Sequence, residues 1–407
     1  MLSSGAALLL ATGLLVPLAA PAAADPGSAC DAVGADVVSA ESDLPSRPLQ
    51  LLGVPRATEL LEQRGITPGE GVGVAVIDSG VAPAARERMD VVAPRSWASG
   101  DHDSAHGTTV AGLVAGRPRE DGKPIGVAPG ARIVDLRVYT APDDSDTGGI
   151  PSGEVVSALR WLARNAADLE VGVAVMAFDL GGDAPGLKRA VRRLVAADVV
   201  VVGAGGNRVD GTGEPAPPGE DARGTVYPAA YDEEVLAVGA TGTGFTDDAS
   251  TSVLLNSDID VAVPTHQAVS VARNGRACYV EGVATSWAAG LAAGVVALAR
   301  SAHPDLDAAQ IQARLIRTAD GSPEAQTRAT GAGVLQPVEA LTRRSGGDDD
   351  GDGLVHADSG AGRAEAPTDP VDPVAGVLAD ARWWGLLGGG LLVVALVLRP
   401  LLARRRS

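Results

Sequence analysis

The chain has 407 residues, a formal net charge of −18, and only two cysteines. That length accommodates one large catalytic domain with appendages, and the negative charge argues against nucleic acid as a partner. Aromatic residues are scarce, but Gly and Ala are plentiful beside an ordinary apolar fraction, a composition from which a close-packed α/β core can be built and which does not argue for disorder.

From the N-terminus, the apolar run Leu8 to Ala20 followed by Ala22-Ala23-Ala24 before Asp25 reads as an export signal over residues 1–24. The basic residue that ordinarily precedes such a run is missing, while Pro17 and the short length speak against a stable N-terminal anchor. Residues 25–70 form a polar, Pro-containing extension in which "PRATELLEQRG" predicts a short helix. Apolar runs then alternate with helical patterns. "GVGVAVID" (71–78), "ARIVDLRVY" (131–139), "VGVAVMAF" (171–178), "VVVVGAGGN" (199–207) and "EVLAVGA" (234–240) read as buried strands. "VVSALRWLARNAA" (155–167) and "LKRAVRRLVAAD" (187–198) read as amphipathic helices, and "TSWAAGLAAGVVALARSA" (285–302) as a buried helix of small residues. "DAAQIQARLIRTA" (307–319) is a further helix opened by Asp307 as N-cap. This alternation predicts an α/β fold of three layers, a mostly parallel sheet with helices on both faces, spanning residues 71–344.

Asp348, Asp349, Asp350, Asp352, Asp358, Glu365, Asp369, Asp372 and Asp380 crowd the next stretch, which reads as an acidic disordered linker over residues 345–380. After it, "WWGLLGGGLLVVALVLRPLLARRRS" predicts a transmembrane helix over 381–402 and a cytoplasmic basic tail over 403–407. Its apolar core, Trp383 to Leu398, is slightly short for a bilayer interior of ~30 Å at ~1.5 Å per residue. Snorkelling by Arg399 and the pair Leu401 and Leu402 make up the difference. Trp383 and Trp384 suit one interface, and the three terminal arginines the cytoplasmic side. The folded domain is then expected outside the cell membrane. Cys30 and Cys278 are compatible with a single disulfide in that compartment, or with two buried thiols.

Four polar residues stand at predicted strand ends or helix starts. Asp78 ends "VAVIDSGV", at the edge of a parallel sheet where sites form; taken alone it equally fits a turn cap. His106 in "DHDSAHGTTVAGLVAG" abuts a helix start of small residues, whereas its neighbour His102 lies in a charged loop. Asn207 follows the Gly-rich end of a strand, and Ser286 opens the small-residue helix, where an ordinary serine would be a cap. Together they form an order Asp–His–Asn–Ser. A serine hydroxyl needs a base to become a nucleophile, that histidine needs a carboxylate to fix its tautomer, and a tetrahedral oxyanion needs donors such as the Asn207 amide and the Ser286 N–H.

At these motifs, "VAVIDSGV", "HGTTVAG", "GAGGN" and "TSWAAG", together with "GVAPGARIVDLRV" (126–138), the chain resembles the subtilisin-like serine proteases over roughly residues 45–342. Within that family, its lead, linker and single C-terminal anchor are most similar to those of the mycosins, membrane-anchored proteases of type VII secretion systems in actinobacteria. The resemblance implies a subtilisin-like fold with Asp78, His106 and Ser286 as catalytic residues and Asn207 and Ser286 as the oxyanion hole. It also implies a substrate-binding edge that includes Asp179, Leu180, Gly181 and Gly205. The chemistry requires no cofactor and no metal; calcium, common in the wider family, finds no ligand cluster here, because the acidic linker lacks the spacing of a calcium loop. The implied partners are a polypeptide substrate and a type VII secretion membrane complex.

The chain departs from the family's pattern at three positions. Ala284 stands where the family has Gly before the Thr-Ser pair, Gly290 where it has Pro, and Asp179 where it has Ser. If the family's glycine has a positive φ, Ala284 is strained by ~1 kcal/mol or more. Gly290 loosens the first turns of its helix, and Asp179 alters the charge of the substrate edge. From these departures a rival reading arises, a catalytically weak or inactive scaffold that stabilises a secretion complex.

Overall fold

A computed structural model describes residues 27–35, 41–140, 149–208, 216–242, 249–321 and 326–343. The stretches expected to form the export signal, the acidic linker, the transmembrane helix and the basic tail lie outside the described residues. The elements in chain order are α1 (Arg47–Leu51), α2 (Val54–Glu62), β1 (Gly73–Asp78), β2 (Asp90–Ser96), α3 (His106–Ala115), β3 (Arg132–Arg137), α4 (Ser152–Asn165), β4 (Val171–Met176) and α5 (Leu187–Val195). They continue with β5 (Val200–Ala204), β6 (Leu236–Thr241), β7 (Val261–Pro264), β8 (Val269–Val271), β9 (Ala277–Tyr279), α6 (Thr285–Ala302), α7 (Ala308–Thr318) and α8 (Pro337–Thr342).

Seven strands form one sheet in the order β2-β3-β1-β4-β5-β6-β7, every neighbouring pair parallel. β8 and β9 pair antiparallel as a separate hairpin. Both faces of the sheet are covered, which is why its strands read as near-continuous apolar runs. Alternate residues go to opposite sides. Val74, Val76, Val173 and Val175 join the core built with α3 and α6, while Ala75, Ile77, Ala174 and Met176 join the one built with α4 and α5.

α6 lies against α3 and against β4, β5, β6 and β7. Its small residues permit that: a Cβ on Gly294 would stand 2.5 Å from the Val127 Cβ. α7 begins with a reciprocal capping box, in which Asp307 Oδ1 accepts from the Gln310 N–H and Gln310 Oε1 accepts from the Asp307 N–H. The strand order changes direction around β1, with β3 on one side and β4 on the other. The carboxyl end of β1 therefore opens at the switch point where α/β sheets place their sites.

The residues before β1 are built into the domain. Cys30 and Cys278 form a disulfide, which decides between the bridge and the free thiols. Around it, the Tyr279 N–H donates to the Ser28 carbonyl and the Ser42 N–H to the Ala277 carbonyl. The Arg119 guanidinium donates to the carbonyls of Ser42, Asp43 and Leu44. Leu49, Leu52, Val54, Ala57 and Leu61 are buried in the main core.

Candidate active site

Asp78 is the last residue of β1 and is fully buried. A buried carboxylate needs donors on every side, and here it has them. The Ser79 N–H donates to Oδ1 at 2.7 Å, the Tyr139 hydroxyl to Oδ1 at 2.7 Å, and His106 Nδ1 lies 2.9 and 3.0 Å from the two oxygens. A carboxylate only accepts, so Nδ1 carries the proton and Nε2 is left as the lone-pair nitrogen.

His106 begins α3, and the chain around it is locked to the end of β1. The Gly107 N–H donates to Ser79 Oγ and the Ala82 N–H to Thr108 Oγ1. A Cβ on Gly107 would meet the Gly80 N and O at 2.8 Å and the Asp78 Cβ at 3.1 Å. This glycine is therefore what lets the two segments approach closely enough for the pair to form. Burial alone would push the His106 imidazole down; the Asp78 charge and hydrogen bond outweigh it, and His106 sits above its ordinary value. At His102, burial, followed by the charges of Arg137 and Arg86, outweighs the opposing pull of Asp101 and Asp103 and pushes it down.

Ser286 lies in the first turn of α6, nearly buried at 6% exposure. The next residue, Trp287, sets its ring 4.8 Å from the His106 imidazole, centroid to centroid, so the start of α6 stands beside α3's first residue. Asn207, exposed just past β5, is fixed by Thr285. Its Oδ1 accepts from the Thr285 N–H at 2.8 Å and from Thr285 Oγ1 at 3.0 Å, while Thr285 Oγ1 accepts from the Gly206 N–H. These bonds assign the amide: the oxygen faces Thr285, and the NH2 group points elsewhere as a donor.

Asp179 is exposed and caps its own turn. Its Oδ1 accepts from the N–H groups of Gly181 and Tyr227, and the Leu180 N–H donates to the Tyr227 carbonyl. Gly205 is buried; its N–H donates to the Val238 carbonyl and its carbonyl accepts from Asn256 Nδ2. The strain expected at Ala284 is absent, because its φ of −150° is extended backbone open to any residue. At Gly290 a Cβ would find ordinary contact, 3.4 Å from the Val110 carbonyl.

Sequence reasoning missed two members of this cluster, Tyr139 and Thr285. The apolar pattern places Tyr139 only at the end of a strand; the signal that could find it is that β3 is the parallel neighbour of β1, with Arg137 in register with Asp78. Two residues on, the Tyr139 hydroxyl reaches the carboxylate. Thr285 carries no signal in the motif, because its role lies in holding the Asn207 amide, which comes from a distant strand end.

The sequence profile of the subtilase family matches residues 69–333. Mycosin-1 of Mycobacterium tuberculosis (strain ATCC 25618 / H37Rv) is 34% identical over 312 residues, 67% of this chain and 69% of that protein. Subtilisin DY of Bacillus licheniformis is 32% identical over 258 residues, 62% of this chain and 84% of that protein. Among solved structures, the MycP3 protease from the type VII (ESX-3) secretion system superposes with a TM-score of 0.60 at 30% identity, covering 78% of this chain and 91% of that one. With the profile, the relatives and the Asp78–His106 pair in agreement, the chain belongs to the subtilase family of serine proteases.

Proposed function

We propose that this protein is a membrane-anchored, extracytoplasmic serine endopeptidase in which Ser286 attacks a peptide carbonyl. His106 Nε2 takes the hydroxyl proton as the bond forms and returns it to the leaving amine; Asp78 holds Nδ1–H and stabilises the imidazolium. The oxyanion is held by the Asn207 amide and the Ser286 N–H, which has no intrahelical acceptor in the first turn of α6. Water then releases the acyl group by the same proton transfers in reverse. An extended polypeptide lies along the edge that includes Asp179, Leu180 and Gly181, while Gly205 keeps the end of β5 against β6.

The observation that carries this reading is the two-oxygen grip of Asp78 on His106 at the carboxyl end of β1, with the first turn of α6 packed beside the imidazole. The extended backbone of Ala284 removes one ground for an inactive scaffold. The likeness to Mycosin-1 and to the MycP3 protease supports service to a type VII secretion membrane complex, with residues 381–402 as the anchor and 403–407 on the cytoplasmic side. A fluorophosphonate probe tests the chemistry: the wild-type protein takes up one equivalent, and Ser286→Ala, with an unchanged circular dichroism spectrum, takes up none. Labelling that persists in Ser286→Ala, or a folded wild-type protein that does not label, overturns the proposal.

A further inference from the structure

We propose that Tyr139 is a positioning residue for the Asp78–His106 pair, donating its phenolic proton to Asp78 Oδ1 and so moderating the negative charge that the carboxylate presents to the imidazole. The inference rests on the endopeptidase reading above and assigns a role in the same site to a residue that the Asp–His–Asn–Ser motifs do not include.

The geometry is specific. Tyr139 is 4% exposed, and its ring stands edge-on to Phe178 at 6.1 Å, 87° between planes. The hydroxyl lies 2.7 Å from Asp78 Oδ1 and 3.3 Å from His106 Nδ1. The shorter distance takes the proton, and the carboxylate is the stronger acceptor. Burial first, then the Asp78 charge and hydrogen bond, push the hydroxyl well above its ordinary value, so it stays a donor throughout the working pH range. A buried tyrosine needs a partner for its hydroxyl, but that need would be met by any carbonyl. Here the partner is the carboxylate oxygen that also receives the Ser79 N–H and faces His106.

The remaining charged groups near the pair leave this role to Tyr139. On β3, Asp135 is engaged with Arg86 and the Val81 N–H, and burial pushes it up to about 6. Arg137 turns its guanidinium to the carbonyls of Ser99, Gly100 and Asp101. Beyond His106 itself, α3 carries no ionisable side chain, and the first turns of α6 carry none.

Removing the phenolic proton while keeping the ring, as in Tyr139→Phe, leaves the carboxylate with one donor fewer. Its charge then falls more heavily on the imidazole, which holds its proton to higher pH. The expected result is a shift of the acid limb of the fluorophosphonate labelling rate to higher pH by about 0.5 to 1 unit. The plateau rate falls roughly tenfold through looser orientation of the ring, and the thermal midpoint stays within a few degrees of wild type. An NMR titration of His106 in wild type and Tyr139→Phe reads the same shift without turnover, so it tests this inference even if the labelling experiment above fails. Tyr139→Leu separates packing from hydrogen bonding, since it removes the ring as well and lowers stability further. An unchanged titration and labelling profile in Tyr139→Phe would reduce Tyr139 to a space-filling residue and overturn the proposal.

Discussion

Asn207 is held by its oxygen, and that detail decides what its nitrogen can do. With Oδ1 committed to two bonds from Thr285, the amide group is oriented as a donor before any substrate arrives, which is the condition for electrostatic stabilisation without reorganisation. Asn207→Ala should therefore lower kcat by about 10²- to 10³-fold with little change in KM. Thr285→Val removes the hydroxyl but keeps the N–H bond, and should cost about tenfold in kcat. Steady-state kinetics on a fluorogenic peptide separate the two; a change confined to KM would mean that these residues bind substrate in its ground state instead. At this scale Asp78, His106, Asn207 and Ser286 were legible as chemistry-bearing residues at a predicted strand end or helix start, and the structure puts each of them at such an end. Tyr139 and Thr285 were not, because their roles depend on cross-strand register and on which neighbour an amide faces, neither of which a linear motif carries.

Two glycines of α6 make opposite demands on the helix. At Gly290 the space beside Val110 and Leu113 admits a methyl group in ordinary contact, while at Gly294 the Val127 Cβ lies 2.5 Å from where one would be. Gly290→Ala should then stabilise the protein by about 0.5–1 kcal/mol, the helix-interior difference between Gly and Ala. Gly294→Ala should destabilise it by about 1–3 kcal/mol through overpacking. Urea denaturation of the two variants checks the pair; destabilisation by both would mean that α6 sits closer to α3 than the structure has it. The long helices and the central strands were readable because burial on one or both faces leaves a periodic pattern. β2 was not: it is an edge strand, largely exposed, carrying Pro94, with Ala93 at φ 47° and a register shift between Val92 and Arg95. The strands β7, β8 and β9 span only 4, 3 and 3 residues, too few for a pattern to emerge.

Across the whole molecule, the Cys30–Cys278 disulfide ties the N-terminal extension to the hairpin that precedes α6, closing a sequence separation of 248 residues. Hydrogen bonds along Ser28, Val33 and Ser42 and the buried faces of α1 and α2 hold the same segment, so its contribution is structural as well as covalent. Loss of the bridge in the double variant Cys30→Ser, Cys278→Ser should lower stability by about 2–5 kcal/mol. Labelling at low temperature should be kept, because the bridge supplies no donor to Asp78 or His106. Thermal denaturation with and without reductant gives the first number. A double variant as stable as wild type would show that the non-covalent contacts alone hold the extension. The pairing of the two cysteines was open at the level of sequence, because composition allows a bridge without placing the two residues side by side.

Peptide mapping of the fluorophosphonate adduct by tandem mass spectrometry tests the convergence of the site most directly. A single adduct on Ser286, abolished in His106→Ala and slowed by orders of magnitude in Asp78→Asn, is the predicted result. An adduct on another residue, or labelling of Ser286 at the wild-type rate without the imidazole of residue 106, would contradict it.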